Sequence, residues 1–141
     1  NWILNIDKRL PLRLVIPEVI KLQQKKREEK AHKNEAALNY YSYADSIGKN
    51  MAFIPFTEVY YKMGKPKSGT VVFFNKNNEI WVNDLAVKRA YFNAFFKNVK
   101  INSDTIRFAF DANMSYGMYI QNKILMESLE KQSDSIEEFI Y

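Results

Sequence analysis

The chain has 141 residues, of which 47% are apolar and 15% aromatic, and its formal net charge is +5. This length fits one ordinary domain, or one domain with an appended arm. The sequence contains no cysteine, which excludes disulfides, thiolate-ligated zinc and thiol nucleophiles. No apolar run approaches the roughly 18 residues that cross a bilayer, and no signal-peptide pattern is present. Because the chain begins with Asn1 rather than Met, we expect a fragment or processed product, with any membrane anchor outside it.

The positive charge is unevenly distributed along the chain. Residues 1–50 hold ten Lys and Arg against six Asp and Glu, whereas residues 51–141 hold eleven against ten. The basic character therefore belongs to the first part. This contrast predicts an N-terminal extended segment and helical arm over residues 1–50, and an α+β domain over residues 51–141.

The chain starts with short extended segments. Asn1–Ile6 alternates weakly between polar and apolar residues and predicts a short strand. Residues 10–16 are apolar but contain a proline, which favours an extended edge segment. Pro17 and Glu18 then suit the first turn of a helix, where a missing N–H costs nothing and an acid meets the positive end of the dipole.

A helix-forming stretch of about thirty residues follows from Val19. Its middle, from Gln23 to Glu35, is almost entirely polar, and Gly48 is a natural stop after it. The pattern leaves open whether this is one long helix or two shorter ones. The residues at 51–56 and 58–61 predict another strand or an extended crossing, and residues 65–69 predict a loop.

The pattern of the second half predicts a closely spaced series of strands and helices. The β-branched and aromatic run 70–74 predicts a strand, residues 75–78 a reversal, and residues 79–82 the partner strand of a hairpin. Asn83 and Asp84 close this hairpin and offer a helix N-cap. A helix is predicted from Leu85 to Val99. Its apolar stripe would be Val87, Tyr91, Ala94, Phe95 and Val99.

Three further elements complete the chain. Residues 105–110 alternate with period two, which predicts a strand whose inner face carries Ile106, Phe108 and Phe110. Ser115 can cap a second helix that runs from Tyr116 to about residue 131. The apolar stripe of this helix would be Tyr116, Ile120, Ile124, Met126 and Leu129. Residues 136–141 predict a closing strand.

The predicted order β-β-α-β-α-β favours an α+β fold. Helices that connect strands of one sheet lie against its face, and right-handed crossovers place them together. We therefore expect a two-layer sandwich in which a small mixed sheet carries helices on one face, with the N-terminal helical arm added to it.

No catalytic residue, metal ligand or cofactor site is predicted. His32 is the single histidine and stands among polar residues without converging partners. Asp84, Asp104 and Asp111 each lie at an element boundary, where caps and turns explain them better than acid–base chemistry. The four glycines are too far apart for a phosphate-binding loop. The inventory therefore predicts that the chain is not an enzyme.

Nucleic-acid binding is also disfavoured. The segment Lys67–Phe74 invites comparison with the aromatic strand of the RNA-recognition motif, but only Lys67, Val72 and Phe74 fit and two stacking positions are lost. The basic run from Lys21 to Lys33 could dock on anionic lipid or nucleic acid, although a solvated helix face explains it better. We expect no specific nucleic-acid partner.

Apolar stripes in the first half indicate self-association. They cannot be buried by isolated helices, so they must dock on the α+β domain of the same chain or of a second copy. We therefore predict a homodimer. Its candidate interaction surface consists of Leu12, Leu14, Ile16, Tyr40, Tyr43 and Ile47. The abundant aromatic residues suit a packed core, and the alternative is a pocket for a small ligand.

Three segments resemble a known family. They are the hairpin Val71–Asn83, the strand Asp104–Ala112 that ends in an acid, and the lead-in Ser115–Ile120 to the last helix. Together they make residues 70–141 resemble the periplasmic domain of the ExbD/TolR family, the membrane-anchored partners of proton-driven motors that energise outer-membrane transport or envelope maintenance.

The resemblance implies a domain that does no chemistry. It would dimerise and contact envelope or inner-membrane motor proteins through a sheet edge or groove. It would lie in the periplasm, tethered to the inner membrane by a segment outside this chain. The alternative reading from the residues is a small α+β ligand-binding module with an aromatic pocket.

Overall fold

A computed structural model describes residues 2–28, 39–45, 50–95, 106–130 and 136–141. The strands are β1 (Trp2–Leu4), β2 (Asn39–Asp45), β3 (Asn50–Pro55), β4 (Val59–Met63), β5 (Thr70–Phe74), β6 (Ile80–Val82), β7 (Leu85–Val87), β8 (Ile106–Phe110) and β9 (Ile136–Ile140). The helices are α1 (Leu12–Glu28), α2, which is described over residues 92–95, and α3 (Tyr116–Glu130). The predicted α+β class is confirmed.

The strands form two sheets. The smaller has the order β1-β2-β3, and the larger has the order β4-β9-β8-β5-β6-β7. In the larger sheet β4, β9, β8 and β5 are parallel, while β5, β6 and β7 are antiparallel. The sheet is thus mixed, as predicted, with a parallel half and a meander half.

The connections decide what lies on each face of the larger sheet. The steps from β5 to β8 and from β8 to β9 each move one strand in the same direction and contain α2 and α3. Right-handed crossovers therefore put both helices on one face, here called the covered face. This face carries the inward-facing residues Val72, Phe74, Phe108, Phe110, Glu138 and Ile140.

The connection from β4 to β5 runs in the opposite direction, past β9 and β8. The same handedness then requires it to cross the other face, here called the open face. Its residues 64–69 form the crossing loop, which begins at Gly64 (φ +138°) and ends at Gly69 (φ +91°). Glycine adopts such positive φ values without a steric penalty. The open face carries Val71, Phe73, Trp81, Arg107, Ala109, Glu137 and Phe139.

The buried apolar residues form one cluster that includes α1. Leu12 and Ile16 from this helix are fully buried with Tyr41 of β2 and Phe74 and Phe110 of the larger sheet. This cluster spans both sides of residue 51. The division of the chain into two units at that residue stays a prediction.

The extended edge segment predicted for residues 10–16 is wrong, because α1 already begins at Leu12 and contains Pro17. The first-turn N–H groups are satisfied by a distant segment: the Leu12 N–H donates to the Met114 carbonyl oxygen at 2.9 Å. Tyr116 in turn donates its N–H to the Leu10 oxygen at 2.7 Å. Sequence patterns do not reveal partners so far along the chain, and helix starts depend on such partners.

The helix-forming stretch of about thirty residues predicted from Val19 is wrong over its last part, because Asn39–Asp45 forms the central strand β2. β2 pairs in parallel with β1 and antiparallel with β3. Residues 29–38, between α1 and β2, and Ile47 lie outside the described part of the chain. The aromatic and alternating residues of this segment fit a strand as well as a helix, so the sequence pattern alone does not distinguish the two.

The helix predicted to begin at Leu85 starts later. Asn83 and Asp84 both have positive φ, 46° and 68°, which is the geometry of a type I′ turn and leads directly into β7. A 3-10 turn at Arg89–Tyr91 then precedes α2. The predicted stripe shifts accordingly, since Tyr91 is 65% exposed and Phe92 is buried. Val99 lies outside the described residues.

The last helix is confirmed from Tyr116, and Ser115 caps it by accepting the Met118 N–H at 3.2 Å. Its buried stripe differs from the prediction, because Ile124 is 41% exposed and Lys123 is buried instead. The side chain of Leu129, the last residue of the predicted stripe, lies outside the described part of the chain.

Substitutions of Phe108 and Arg107 should distinguish the buried face of β8 from its exposed face. Phe108 is buried on the covered face opposite Val72, so we expect Phe108→Ala to lower the free energy of unfolding by about 3–5 kcal/mol. Arg107→Ala should cost under about 1 kcal/mol, because the ion pair of Arg107 with Glu137 is partly exposed. Denaturant unfolding of both variants measures the difference, and equal costs would contradict this assignment of faces.

Candidate functional site

A buried ionic group lies between α3 and β9. Glu138 is fully buried, and its Oε2 accepts a hydrogen bond from Nζ of Lys123, which is also buried. Its Oε1 accepts a hydrogen bond of 2.6 Å from the Tyr119 hydroxyl. Tyr119 and Lys123 are four residues apart on α3, so they share one helix face and can reach the same carboxylate.

Two more tyrosines extend this group across the core. The Tyr119 hydroxyl lies 2.8 Å from that of Tyr61 in β4, which lies 2.7 Å from that of Tyr41 in β2. Each phenol carries one hydrogen, and an ionised carboxylate only accepts. Tyr119 donates to Glu138, so Tyr61 must donate to Tyr119 and Tyr41 to Tyr61. The hydrogen bonds therefore all run toward Glu138. The tyrosine network is defined as Tyr41, Tyr61, Tyr119, Lys123 and Glu138.

Burial keeps these phenols protonated. It raises the pKa values of Tyr41, Tyr61 and Tyr119 well above their ordinary value of 10.0, since the phenolate form would lose its hydration. The negative charge of Glu138 raises them further. A neutral phenol is also the form that can donate along the network. The arrangement thus stabilises one charged pair and three hydroxyl groups inside the core.

The tyrosine network connects elements from both sheets, and none of its five residues lines either of two clefts on the open face. Its side chains come from β2, β4, α3 and β9. All five are buried, so a substrate could reach them only if the core opened. We therefore assign the network a structural role.

Sequence reasoning missed this network because Lys123 and Glu138 are ordinarily surface residues. One signal was available. Lys123 falls four residues after Tyr119, and Glu138 has the same strand parity as Ile136 and Ile140. A charged residue on each of two inward faces indicates a buried pair.

Removal of a single tyrosine hydroxyl group should lower the unfolding free energy most when that group is close to the Glu138 carboxylate. Tyr119→Phe removes a hydrogen bond to a buried charge, so we expect a loss of about 1.5–3 kcal/mol in unfolding free energy. Tyr41→Phe removes only the outermost donor of the network and should cost about 0.5–1.5 kcal/mol. Denaturant unfolding of both variants shows which substitution lowers the unfolding free energy more. A larger loss for Tyr41→Phe would contradict the direction derived for the hydrogen bonds.

Stability should fall in alkali. The folded-state pKa values of the three buried phenols lie above the unfolded value of about 10, so above that pH the unfolded chain releases protons that the folded chain retains. The contribution of these phenols to the unfolding free energy is therefore constant below about pH 10 and decreases above it. Unfolding curves at increasing pH measure the slope, which Tyr61→Phe should reduce. Replacement of the exposed Tyr91 by Phe is the control and should leave this slope unchanged.

An accessible candidate site is an aromatic cleft on the open face. It has a volume of about 420 Å³ and lies between the crossing loop and the β6–β7 turn. The rings of Phe73 and Tyr141 stack with their centroids 4.8 Å apart. Partial burial raises the pKa of Tyr141, as do Asp84 and Asp111. The lining residues are Lys65, Pro66, Val71, Phe73, Trp81, Asn83, Asp84 and Tyr141.

The aromatic cleft combines aromatic rings with a few polar groups. Its polar side-chain groups are the Lys65 amine, the Trp81 indole N–H, the Tyr141 hydroxyl and the side chains of Asn83 and Asp84. Asn83 Oδ1 already accepts the Val71 N–H at 2.9 Å. A nucleophile with an adjacent base is not among its lining residues. Flat rings with a few polar groups at the rim are typical of recognition surfaces.

The predicted interaction residues are not brought together as one surface. Leu12 and Ile16 lie inside the core, whereas Leu14 on the same helix is 51% exposed. Tyr40 and Tyr43 are partly buried on β2, and Ile47 lies outside the described residues.

The residues considered for chemistry are also dispersed. Asp84 belongs to the type I′ turn, and Asp111 accepts the backbone N–H groups of Lys76 and Asn113 at 3.1 and 2.9 Å. His32 and Asp104 lie outside the described residues. In the described ranges, no group of three or more His, Cys, Asp or Glu side chains is placed to hold a metal ion.

Comparison with protein-family models, with curated proteins and with solved structures finds no match to this chain. None of the helices in the described ranges is both long and apolar enough to span a membrane.

Proposed function

We propose that this chain is a non-enzymatic periplasmic domain of a proton-driven envelope motor of the ExbD/TolR kind. It acts through protein–protein contacts, as a homodimer and with inner-membrane motor proteins. The resemblance of residues 70–141 supports this proposal. The segments that carry it are consecutive parts of the larger sheet and of α3, since the hairpin is β5–β6 and the acid-ended strand is β8.

One observation carries the proposal: the buried charged pair of the core is satisfied internally, whereas the aromatic cleft presents aromatic rings on an accessible concave surface. Glu138 and Lys123 pair with each other, and the aromatic cleft presents Phe73, Trp81 and Tyr141. Aromatic residues are enriched in the centres of protein interfaces and contribute strongly to binding. The aromatic cleft is therefore better suited to bind a partner than to transform a substrate.

A small-molecule binding module is the second candidate. The volume of the aromatic cleft, about 420 Å³, falls within the range of ordinary ligand pockets. A ligand bound here would stack on the aromatic rings and reach Lys65 or Asp84 at the rim.

Site-specific photo-crosslinking in the native cells tests the proposal. A photoreactive residue at Trp81, inside the aromatic cleft, should crosslink to an inner-membrane motor protein or to a second copy. The same group at Lys76, an exposed position that does not line this cleft, is the matched control and should give neither product.

Two results would contradict the proposal. One is identical products at the two positions. The other is the absence of protein products at Trp81 together with a small molecule that stays bound in native mass spectrometry. The latter would favour the ligand-binding module.

A further inference from the structure

A second cleft on the open face concentrates positive charge. It lies on the other side of the crossing loop, toward β4, and has a volume of about 420 Å³. Four basic side chains line it against one carboxylate, that of Glu137. The lining residues are Lys62, Met63, Gly64, Lys65, Lys67, Ser68, Arg107, Glu137 and Phe139. We call it the basic cleft.

Glu137 orients two of these cations on the floor of the basic cleft. Its Oε2 accepts a hydrogen bond from Nη1 of Arg107 at 3.0 Å, and its Oε1 lies 3.4 Å from Nζ of Lys62. The three side chains come from adjacent strands β8, β9 and β4. A single carboxylate cannot neutralise two cations, so this group retains a formal charge of +1.

The crossing loop adds two lysines above this floor. Lys65 and Lys67 are exposed and form no ion pair with a described residue. Nζ of Lys65 lies 5.5 Å from the centroid of the Tyr141 ring, so this side chain remains over the open face. The basic cleft therefore carries a formal charge of +3.

This concentration is not a consequence of the average charge of this region. Residues 51–141 have an excess of only one positive charge, eleven basic against ten acidic. The basic cleft alone accounts for an excess of three, so the rest of this region is acidic by two. A local field of this sign attracts anions and is weakened by salt.

We propose that the basic cleft binds the phosphate group of a phosphate-bearing ligand. A phosphate has several oxygens, and these can accept hydrogen bonds from the floor and from the crossing loop at once. Arg107 supplies a planar donor and the lysines supply point charges, which is the usual combination for phosphate. Phe139 and Met63 provide apolar surface for the carbon part of the ligand. This inference does not depend on the proposed function.

Two sources of phosphate fit this chemistry: a free phosphorylated molecule and the headgroup of an anionic phospholipid. The intact chain should be titrated with inorganic pyrophosphate and with phosphatidylglycerol vesicles, with phosphatidylcholine vesicles as the neutral control. Binding of pyrophosphate assigns the basic cleft to free phosphate groups, whereas binding to the anionic vesicles alone assigns it to a headgroup.

The double variant K65Q/K67Q removes the two loop charges, and K76Q/K88Q removes two exposed lysines outside the basic cleft. Both variants have the same net charge. We expect the first to weaken binding by about tenfold or more, and the second by about twofold or less.

Equal losses in the two variants, no loss in either, or no binding of either probe by the intact chain would overturn the proposal. All four lysines are exposed, so unfolding midpoints should match those of the unsubstituted chain and confirm that binding is compared between folded proteins.

Discussion

The buried carboxylate of Glu138 is the constraint on which much of this structure depends. An isolated charge without exposure to water costs several kcal/mol, and the cost is offset only by close partners of good geometry. Lys123 and Tyr119 supply these partners, and both come from α3. The helix must therefore lie over β9 with one particular face toward the sheet. Rotation of α3 about its axis would leave the buried charge of Glu138 without its partners.

The constraint extends beyond the helix and the strand. Tyr61 of β4 and Tyr41 of β2 belong to the same hydrogen-bonded network. The small sheet is therefore connected to the large one by hydrogen bonds as well as by apolar packing. The Tyr41 ring also stacks on Phe56 with centroids 4.1 Å apart. Apolar contacts alone tolerate small shifts, whereas each hydrogen bond requires a narrow distance and direction. The network is satisfied only when these elements meet in one arrangement.

Elements defined by local chemistry were predictable from sequence. The hairpin reversal has Asn78 at φ +65°, and Ser115 caps α3, both as local rules indicate. Elements defined by distant partners were not. The first N–H groups of α1 bond to the chain before α3, and the buried state of Lys123 exists only because Glu138 arrives on another strand. The predicted start of the helix at Leu85 was wrong for a different reason. Asn83 and Asp84 suit a helix N-cap and a type I′ turn equally well.

No local sequence pattern indicates where the candidate sites lie, because their positions follow from the topology of the larger sheet. Helices α2 and α3 occupy the covered face, so the connection from β4 to β5 must cross the open face as an extended loop. This crossing loop divides the open face into an aromatic cleft and a basic cleft, with Lys65 lining both. Residues as far apart as Lys67, Arg107 and Tyr141 thereby line neighbouring clefts. The covered face packs against the helices, and the open face carries the two clefts.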